Sequence, residues 1–438
     1  MSKFNEDTRV KIPAILHLCR LGYDYVSLKN SIWDTETNIF PEIFNASIKK
    51  INPELDEEDI KRFLLEISIL LNNEDLGKAF YEKLISDSGR KLIDFENFEN
   101  NAFNVVTELP YKNGEEEFRP DITLLINGMP LSFIEVKKPN NRDGILAERE
   151  RIKVRFQNKK FRKFINITQL MVFSNNMEYD NEDIEPLQGA FYASPSYKNP
   201  VFNYFREEEK FDLKEILAQE NDDLENLILQ DNNLVVIKNS QEFLTNKDTN
   251  TPTNRLSTSL FQKDRLAFIL KYSIAYVNES GGVEKHIMRY PQMFATKAIE
   301  NKLDEDIKKG IIWHTQGSGK TALAYYNVRY LTDYFQKKSI IPKFYFIVDR
   351  LDLLKQAKRE FINRGLIVHI VDSKTDFVKQ IKKTTAIYND TGKPEITVVN
   401  IQKFSEDASV LTKQDYAIHY MILLKYPKNR GHAIYMLL

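Results

Sequence analysis

Two carboxylates and a lysine have a spacing that could support phosphodiester hydrolysis. Asp121 follows an Arg-Pro pair, and Glu135 and Lys137 come 14 and 16 positions later. Two carboxylates with a backbone carbonyl, that of Val136, form a ligand set that suits Mg²⁺. The metal would polarise the phosphodiester and activate a water, while the lysine orients that water and offsets developing charge. These residues predict a metal-dependent hydrolytic site; a surface aspartate beside an edge-strand Glu-Lys pair is the alternative.

A strongly basic segment follows. Residues 149–163 contain eight basic side chains and one acidic one, a net charge of +7. This density is typical of phosphate neutralisation, which does not depend on base sequence, and a solvated helix face is the alternative. Glu6 and Glu108 are candidate additional acidic ligands. The predicted DNA-binding residues are Arg149, Arg151, Lys153, Arg155, Lys159, Lys160, Arg162 and Lys163.

A glycine-rich loop lies farther along the chain. It begins at His314, follows a short apolar run and precedes a helical pattern, which is the setting of a phosphate-binding loop. Its backbone N–H groups would converge on phosphates at the start of the helix. Lys320 would neutralise charge on the β- and γ-phosphates of ATP, and Thr321 would hold Mg²⁺. A chance Gly-Ser-Gly turn is the alternative. The predicted nucleotide-binding residues of the loop are Gly317, Ser318, Gly319, Lys320 and Thr321.

Three other segments resemble motifs of superfamily 2 helicases. Gln292, which lies 28 residues before Lys320, resembles the glutamine that reads adenine. Residues 344–351 resemble motif Ia and residues 398–404 resemble motif Ib, both of which touch the DNA backbone. Taken singly, these segments could be a surface glutamine and two capped buried strands. In this order they predict a nucleotide-driven motor.

The elements that must position these residues can be predicted from apolar spacing. Residues 121–126 and 131–136 are apolar runs around an Asn-Gly pair, which predicts a β-hairpin that brings Asp121 close to Glu135 and Lys137. Alternating strands and helices after residue 260 indicate an α/β fold with a mostly parallel sheet. The Thr-, Asn- and Ser-rich residues 246–259 are predicted to be a linker. Other predicted elements are helices at 10–21, 56–71 and 261–277 and strands at 169–174, 311–313, 344–348, 368–371 and 397–400.

Composition excludes several classes of protein. A chain of 438 residues predicts two or three domains. The 62 basic and 63 acidic residues are balanced, so an anion site must come from local clustering. The single cysteine excludes an internal disulfide framework and a cysteine-based zinc module. The N-terminal residues are too polar for a signal peptide, and no apolar run is long enough for a membrane span. The expected location is therefore the cytoplasm.

Together these features resemble the R (restriction, or HsdR) subunit of type I restriction enzymes, in which a PD-(D/E)xK nuclease precedes a superfamily 2 translocase. The resemblance covers roughly residues 1–412 and includes the loop with its histidine in the first position. The matching strings are NVVTE at 104–108, RPD at 119–121, NGMPL at 127–131, IEVKKP at 134–139, QLMVFSNN at 169–176 and IWHTQGSGKT at 312–321.

The resemblance implies an endonuclease domain over residues 1–245 and a first RecA-like lobe over residues 260–414. It implies Mg²⁺ and ATP as cofactors, double-stranded DNA as substrate, and methylation (M) and specificity (S) subunits as partners. Asp121, Glu135 and Lys137 would be catalytic, and the metals would be held by Asp121, Glu135 and Thr321. ATP hydrolysis would pull DNA, cleavage would occur far from the recognition site, and recognition would belong to the specificity subunit.

The sequence departs from the family pattern in several respects. The Q-x-x-x-Y motif has no clean match, and Gln157 to Phe161 is a distant candidate. A D-E-x-H box after motif Ib and a second RecA-like lobe are not found. Residues 416–438 contain no Asp or Glu, whereas about three are expected at the whole-chain frequency. We therefore expect an incomplete first lobe, an out-of-frame tail over residues 415–438 after a truncation, and no translocation.

These departures leave more than one function open. A nuclease with an incomplete motor is the favoured hypothesis. The first alternative is a non-catalytic remnant that binds DNA or ATP, or docks on the methyltransferase complex, without cutting. The second is a standalone DNA-repair nuclease–helicase, which predicts a different string around the phosphate-binding loop.

Overall fold

The computed structural model describes residues 6–113, 116–139, 144–178, 189–307, 309–313, 319–348, 350–371, 394–400, 421–425 and 434–437. The chain divides into two compact units. The first comprises Met1–Ile274 with Val283–Ile287, and the second comprises Ala275–Gly282 with Met288–Leu438. Within the described ranges, no helix combines the length and the apolar character needed to cross a membrane.

The first unit is rich in amphipathic helices. The predicted helix at 56–71 is confirmed: Asp56 accepts a hydrogen bond from the Asp59 N–H at 2.8 Å and caps the helix that follows it. A π-helical turn, Asp7–Lys11, runs directly into the first α-helix. The α-helices are α1 (Ile12–Arg20), α2 (Pro41–Ile51), α3 (Glu57–Leu70), α4 (Lys78–Leu84), α5 (Gly144–Gln157), α6 (Arg162–Ile167), α7 (Leu213–Ile216), α8 (Asp222–Asp231), α9 (Gln241–Asn246), α10 (Pro252–Phe261) and α11 (Lys263–Tyr272).

A seven-stranded mixed sheet forms the centre of this unit, in the order β1-β2-β5-β6-β7-β8-β9. Every residue of β5, β6 and β7 is buried, and most of these residues are apolar, as is typical of strands covered on both faces. A separate pair, β3 and β4, is antiparallel. The strands are β1 (Asp24–Tyr25), β2 (Phe103–Thr107), β3 (Tyr111–Asn113), β4 (Glu116–Phe118), β5 (Ile122–Ile126), β6 (Met129–Val136), β7 (Leu170–Ser174), β8 (Ala190–Ala193) and β9 (Asn203–Tyr204).

The predicted hairpin is confirmed in β5 and β6. The two strands are antiparallel with Ile122 opposite Ile134, and β6 is parallel to β7. Asn127 and Gly128 both have positive φ angles, 53° and 76°, which is the backbone that a two-residue turn requires. The hairpin therefore places the residue before β5 next to the end of β6.

The structure differs from the predicted linker at 246–259. Residues 252–261 form α10, whose side chains are mostly buried and which packs against α1. The hydroxyls of Ser257 and Thr258 donate to carbonyls four residues earlier in the helix, at 2.9 and 3.2 Å. Small side chains satisfied in this way allow close helix packing, so a composition typical of loops forms a buried helix. The first unit consequently continues past the predicted boundary to Ile274.

The second unit has the predicted alternation of strands and helices. Its six-stranded sheet has the order β12-β16-β17-β13-β15-β14, with parallel pairing of β13 to β15 and of β15 to β14. Its helices are α12 (Tyr290–Asp304), α13 (Lys320–Gln336) and α14 (Leu351–Asn363). The remaining strands among the described residues are β10 (Ile274–Glu279), β11 (Gly282–Ile287), β12 (Lys309–Trp313), β13 (Tyr345–Val348), β14 (Ile367–Val371), β15 (Glu395–Asn400), β16 (Met421–Lys425) and β17 (Ile434–Leu437).

One prediction for this part of the chain needs correction, and the predicted tail contains two strands. The helix predicted at 261–277 ends at Tyr272, and the β-branched and aromatic residues that follow form β10. The residues 415–438, predicted to be an atypical tail, contribute two strands to the sheet. β16 pairs in parallel with β12, and β17 pairs antiparallel with β13.

Candidate active site

The three predicted catalytic residues meet at one end of the β5–β6 hairpin. Asp121 directly precedes β5, Glu135 is the second-last residue of β6, and Lys137 directly follows that strand. The Val136 N–H donates to Asp121 Oδ2 at 2.9 Å, which fixes the aspartate against the neighbouring strand. The Lys137 N–H donates to the Ser174 carbonyl of β7 at 2.8 Å. The backbone of the sheet thus holds the site.

Four carboxylates surround the Lys137 ammonium. Its Nζ lies 3.7 Å from Asp121 Oδ2, 3.7 Å from Glu135 Oε2, 3.6 Å from Glu148 Oε2 and 3.9 Å from Glu6 Oε1. Its shortest polar contact is a hydrogen bond of 2.9 Å to the Val136 carbonyl. The lysine is therefore held at the centre of an acidic cluster.

Burial and like charges shift the titration of this cluster. Burial raises the pKa of Glu135 well above its ordinary value, and the carboxylates of Asp121 and Glu148 raise it further, against the opposing effect of Lys137. Burial alone would lower the pKa of Lys137, but the carboxylates of Asp121, Glu135, Glu6 and Glu148 outweigh it, so that pKa is raised. The site favours a charged ammonium and disfavours an isolated Glu135 carboxylate.

The residues present fit a hard cation bound by oxygen. Glu135 is 4% exposed, and its Oε1 atom has no hydrogen-bond partner although it is buried. A buried oxygen of this kind is costly unless a donor or a cation satisfies it. Across the described ranges, no three or more Asp, Glu, His or Cys side chains share a metal position. Asp121 and Glu135 would thus need further oxygen donors, and the Val136 carbonyl, with two lone pairs, can serve Lys137 and an ion together.

Glu148 belongs to the cluster and was missed in the sequence. It lies on α5, where the buried positions are Ile145, Glu148, Ile152 and Phe156. This spacing of three and four residues is the apolar stripe of a helix. A carboxylate within such a stripe is a signal of a buried functional or paired charge, and that signal was available in the sequence.

The two additional acidic candidates differ in their placement. Glu6 reaches the cluster, where burial raises its pKa, Lys137 opposes that shift and Asp121 adds to it. Glu108 instead accepts a hydrogen bond of 2.6 Å from Lys11, whose ammonium also pairs with Asp7 at 2.5 Å. Glu108 therefore supports the neighbouring π-helical turn and is not among the carboxylates that contact Lys137.

The first half of the basic segment lies on α5. Arg151 and Arg155 contact Glu148 at 3.1 and 3.4 Å, and the Arg155 guanidinium lies 4.1 Å from the ring centre of Phe118. The other two α5 cations also have partners: Arg149 lies over the ring of Phe202 at 5.4 Å, and Lys153 lies 3.8 Å from Glu150. Gln157, the candidate for the Q-x-x-x-Y motif, is exposed in the last turn of α5.

The second half of the basic segment lines a separate cleft of about 580 Å³. Arg162 pairs with Glu74 at 2.5 Å, and Lys163 pairs with Glu36. Lys160 lies 4.0 Å from Glu116, and Lys159 lies 4.0 Å from Glu74. Acidic side chains from distant parts of the sequence therefore offset much of the local charge of +7.

In the second unit, the described part of the nucleotide loop begins at Gly319; Gly317 and Ser318 lie outside the described residues. Gly319 has a φ of 79° and caps α13. Lys320 is the first residue of that helix and is buried, and burial lowers its pKa. Thr321 follows in the same first turn. Strand β12 ends at Trp313, so the order of strand, loop and helix is the one predicted.

Gln292 is bound to this loop. Its side-chain oxygen accepts a hydrogen bond of 2.9 Å from the Arg289 N–H, and its amide nitrogen donates to the Gly319 carbonyl at 3.0 Å. The side chain is buried at the start of α12. Gln292, predicted to read adenine, therefore ties the start of α12 to the last glycine of the loop.

The segments resembling motifs Ia and Ib contain buried parallel strands. β13 and β15 pair with Tyr345 opposite Thr397. Asp349 and residues 401–404 lie outside the described residues. Both strands have the buried core that the sequence predicted for them.

Two family models match the chain. Residues 3–180 match the model described as the type I restriction enzyme R protein N terminus, and this match includes the whole Lys137 cluster. Residues 285–424 match the model described as the type III restriction enzyme res subunit, and this match includes Gln292 and the nucleotide loop.

Curated relatives carry the same type of name. The chain is 28% identical over 333 residues to the MjaVIIP type I restriction enzyme endonuclease subunit of Methanocaldococcus jannaschii, covering 73% of this chain and 27% of that one. The MjaIXP subunit of the same organism is 27% identical over 419 residues, covering 87% and 36%. The SsaAORF53P subunit of Staphylococcus saprophyticus is 26% identical over 404 residues, covering 88% and 35%.

The chain thus spans about a third of the length of these relatives. It has a mixed α/β architecture, and it is similar to the N terminus of type I restriction enzyme R proteins over residues 3–180 and to a restriction enzyme res subunit over residues 285–424.

Proposed function

We propose that the first unit is a PD-(D/E)xK nuclease that cuts double-stranded DNA with Mg²⁺, as part of the restriction subunit of a type I system. The observation that carries the proposal is the convergence of Asp121, Glu135 and Lys137 at one end of the β5–β6 hairpin. The orphaned Oε1 of Glu135 supports a cation at this position.

Each side chain has a distinct role in this proposal. Asp121 and Glu135 hold the ion, which when bound supplies Lewis-acid activation of a phosphodiester and its attacking water. Lys137 donates hydrogen bonds at the position of the water and stabilises negative charge that develops on the phosphate oxygens. Its raised pKa keeps the ammonium charged at neutral pH, which suits stabilisation of charge and not proton abstraction.

The second unit is proposed to be a RecA-like lobe that binds ATP. The N–H groups at the start of α13 and the Lys320 ammonium would hold the phosphates, and Thr321 would help to hold Mg²⁺. Burial lowers the pKa of Lys320 because the ammonium loses contact with water. A bound triphosphate would place negative charge against this ammonium.

The proposed macromolecular partners follow from the similarity to type I restriction enzyme subunits. Double-stranded DNA would be the substrate, with methylation and specificity subunits in the assembled enzyme. Along α5, Arg149, Arg151, Lys153 and Arg155 would contact the DNA backbone next to the acidic cluster. Lys159, Lys160, Arg162 and Lys163 would do so at the separate cleft.

Nicking of a supercoiled plasmid tests the nuclease proposal. The wild-type chain with Mg²⁺ is expected to nick the plasmid, and EDTA, Asp121→Ala and Lys137→Ala are each expected to abolish nicking. A folded wild-type chain that binds plasmid but leaves it intact would contradict the proposal. That result would favour the alternative of a chain that docks in the complex without cutting.

A further inference from the structure

We propose that Glu148 is a positioning residue that holds the Lys137 ammonium and couples it to Arg151 and Arg155. The inference rests on the proposed nuclease function. Oε2 of Glu148 lies 3.6 Å from Lys137 Nζ and 3.1 Å from Arg151 Nη1, and Oε1 lies 3.4 Å from Arg155 Nη1. One carboxylate therefore contacts three cations, one from the site and two from the basic helix.

Burial of the Glu148 side chain restricts it to its contacts with nearby cations. The Glu148 side chain is 3% exposed, on the apolar stripe of α5 between Ile145 and Ile152. A buried carboxylate is tolerated when it is paired, and removal of its charge leaves its buried partners without a counter-ion. Glu148 therefore has little freedom to leave Lys137, in contrast to the partly exposed Glu6.

The hairpin carboxylates near Lys137 have a second proposed role. Asp121 and Glu135 are proposed to bind the ion, and a cation between them would draw their charge away from Lys137. Glu148 comes from a helix and not from the hairpin, so it can remain the counter-ion of Lys137 while the hairpin carboxylates serve the metal. The lysine would then keep its orientation during the reaction.

The arginines extend this contact toward DNA. The side chains of Arg151 and Arg155 are 61% and 32% exposed, so both reach solvent while they contact Glu148. A guanidinium has five N–H donors and can bind a carboxylate and a phosphate at the same time. Phosphate contacts on α5 would thereby fix Glu148 and, through it, Lys137.

Single-turnover cleavage, with the enzyme in saturating excess over the plasmid, separates this role from simple phosphate binding. Glu148→Ala and Glu148→Gln are expected to lower the rate roughly 10- to 100-fold, as loss of an outer contact at a metal site does. Arg155→Ala is expected to lower the same rate, and the double variant Glu148→Ala/Arg155→Ala should be no slower than Glu148→Ala alone. Glu150→Gln, an exposed glutamate on the same helix, is the matched control and should cleave at the wild-type rate.

Other rate patterns would overturn the inference. If Arg155 only binds phosphate, Arg155→Ala weakens DNA binding but leaves the saturated rate unchanged, and that result would contradict its coupling to Lys137. A Glu148→Gln variant that folds and cleaves at the wild-type rate would also contradict the role of the carboxylate.

Amine labelling followed by mass spectrometry tests the contact without cleavage. In Glu148→Gln, Lys137 is expected to react several-fold faster with an amine-specific acylating reagent, because it has lost a contact that holds its ammonium inside the cluster. Lys11, buried beside Asp7 and Glu108, is the internal reference and should react as in the wild type. Unchanged Lys137 labelling would overturn the inference, whereas faster labelling in a chain that cuts no DNA would support it and contradict only the nuclease proposal.

Discussion

At the scale of single residues, Gly319 shows how closely the nucleotide loop and α12 are fitted. Its φ of 79° is strained for any residue with a Cβ, and a Cβ there would lie 2.4 Å from the Gln292 amide nitrogen. Left-handed backbone costs about 1–2 kcal/mol for such residues. Gly319→Ala is therefore expected to displace Gln292 and to weaken binding of a non-hydrolysable ATP analogue by roughly tenfold or more, measured by calorimetric titration.

A nearby glycine provides the control for this prediction. Gly310 lies in β12, and a Cβ added there meets no atom within 4 Å. Gly310→Ala should leave the affinity for the analogue unchanged. Equal affinity in Gly319→Ala and wild type would contradict the account of the loop.

Some site residues could be predicted from sequence because their spacing coincides with a local element. Asp121, Glu135 and Lys137 are brought together by one hairpin, so the 14-residue separation of the acids was informative. Glu148 joins them from a helix that follows an intervening segment. Its place in an apolar stripe is the one sequence signal that indicates a buried charge there. The acidic partners Glu74 and Glu36 come from distant positions, which is why a local count overstated the net positive charge.

At the scale of elements, the contact between α1 and α10 predicts a pH-dependent stability. His17 is buried on α1, its Nε2 lies 2.7 Å from Thr258 Oγ1, and burial, with a smaller effect of Arg20, lowers its pKa to about 3. Below the ordinary pKa of about 6.5 the unfolded chain therefore binds a proton that the folded chain excludes. The free energy of unfolding of this region should fall by up to about 1.4 kcal/mol per pH unit as pH decreases toward 3.

Hydrogen exchange of the α1 amides in wild type and His17→Gln measures this effect. Comparing the two chains at each pH removes the intrinsic pH dependence of exchange. The wild type is expected to lose about 1.5 kcal/mol more than the variant between pH 6.5 and pH 5. Parallel loss of protection in the two chains would show that His17 is not the titrating group.

Helices and strands could be predicted from the sequence where a short local pattern is typical of one structure only. The Asn-Gly pair between two apolar runs permits a tight hairpin turn, and the acidic start of α3 is a capped helix end. The buried helix α10 was mistaken for a linker because its Ser and Thr residues are common in loops. Its packing partner α1 lies more than 200 residues away in sequence, so no local pattern indicated that these residues would be buried.

At the scale of the whole molecule, the numbers of basic and acidic residues are nearly equal, but the two units differ in the charged groups at their candidate sites. The chain has 62 basic and 63 acidic residues, yet the first unit concentrates carboxylates around Lys137. The second unit contains the start of α13, where burial lowers the pKa of Lys320. Metal-dependent cutting is therefore expected to depend on the first unit and nucleotide binding on the second.

The most direct test of this account is the rate of plasmid nicking with Mg²⁺ and without ATP in wild type, Asp121→Ala and Lys320→Ala. We predict equal nicking by wild type and Lys320→Ala and none by Asp121→Ala, because the acidic cluster alone carries the cutting chemistry. Nicking by Asp121→Ala at the wild-type rate would contradict the central claim that the β5–β6 hairpin holds the nuclease site.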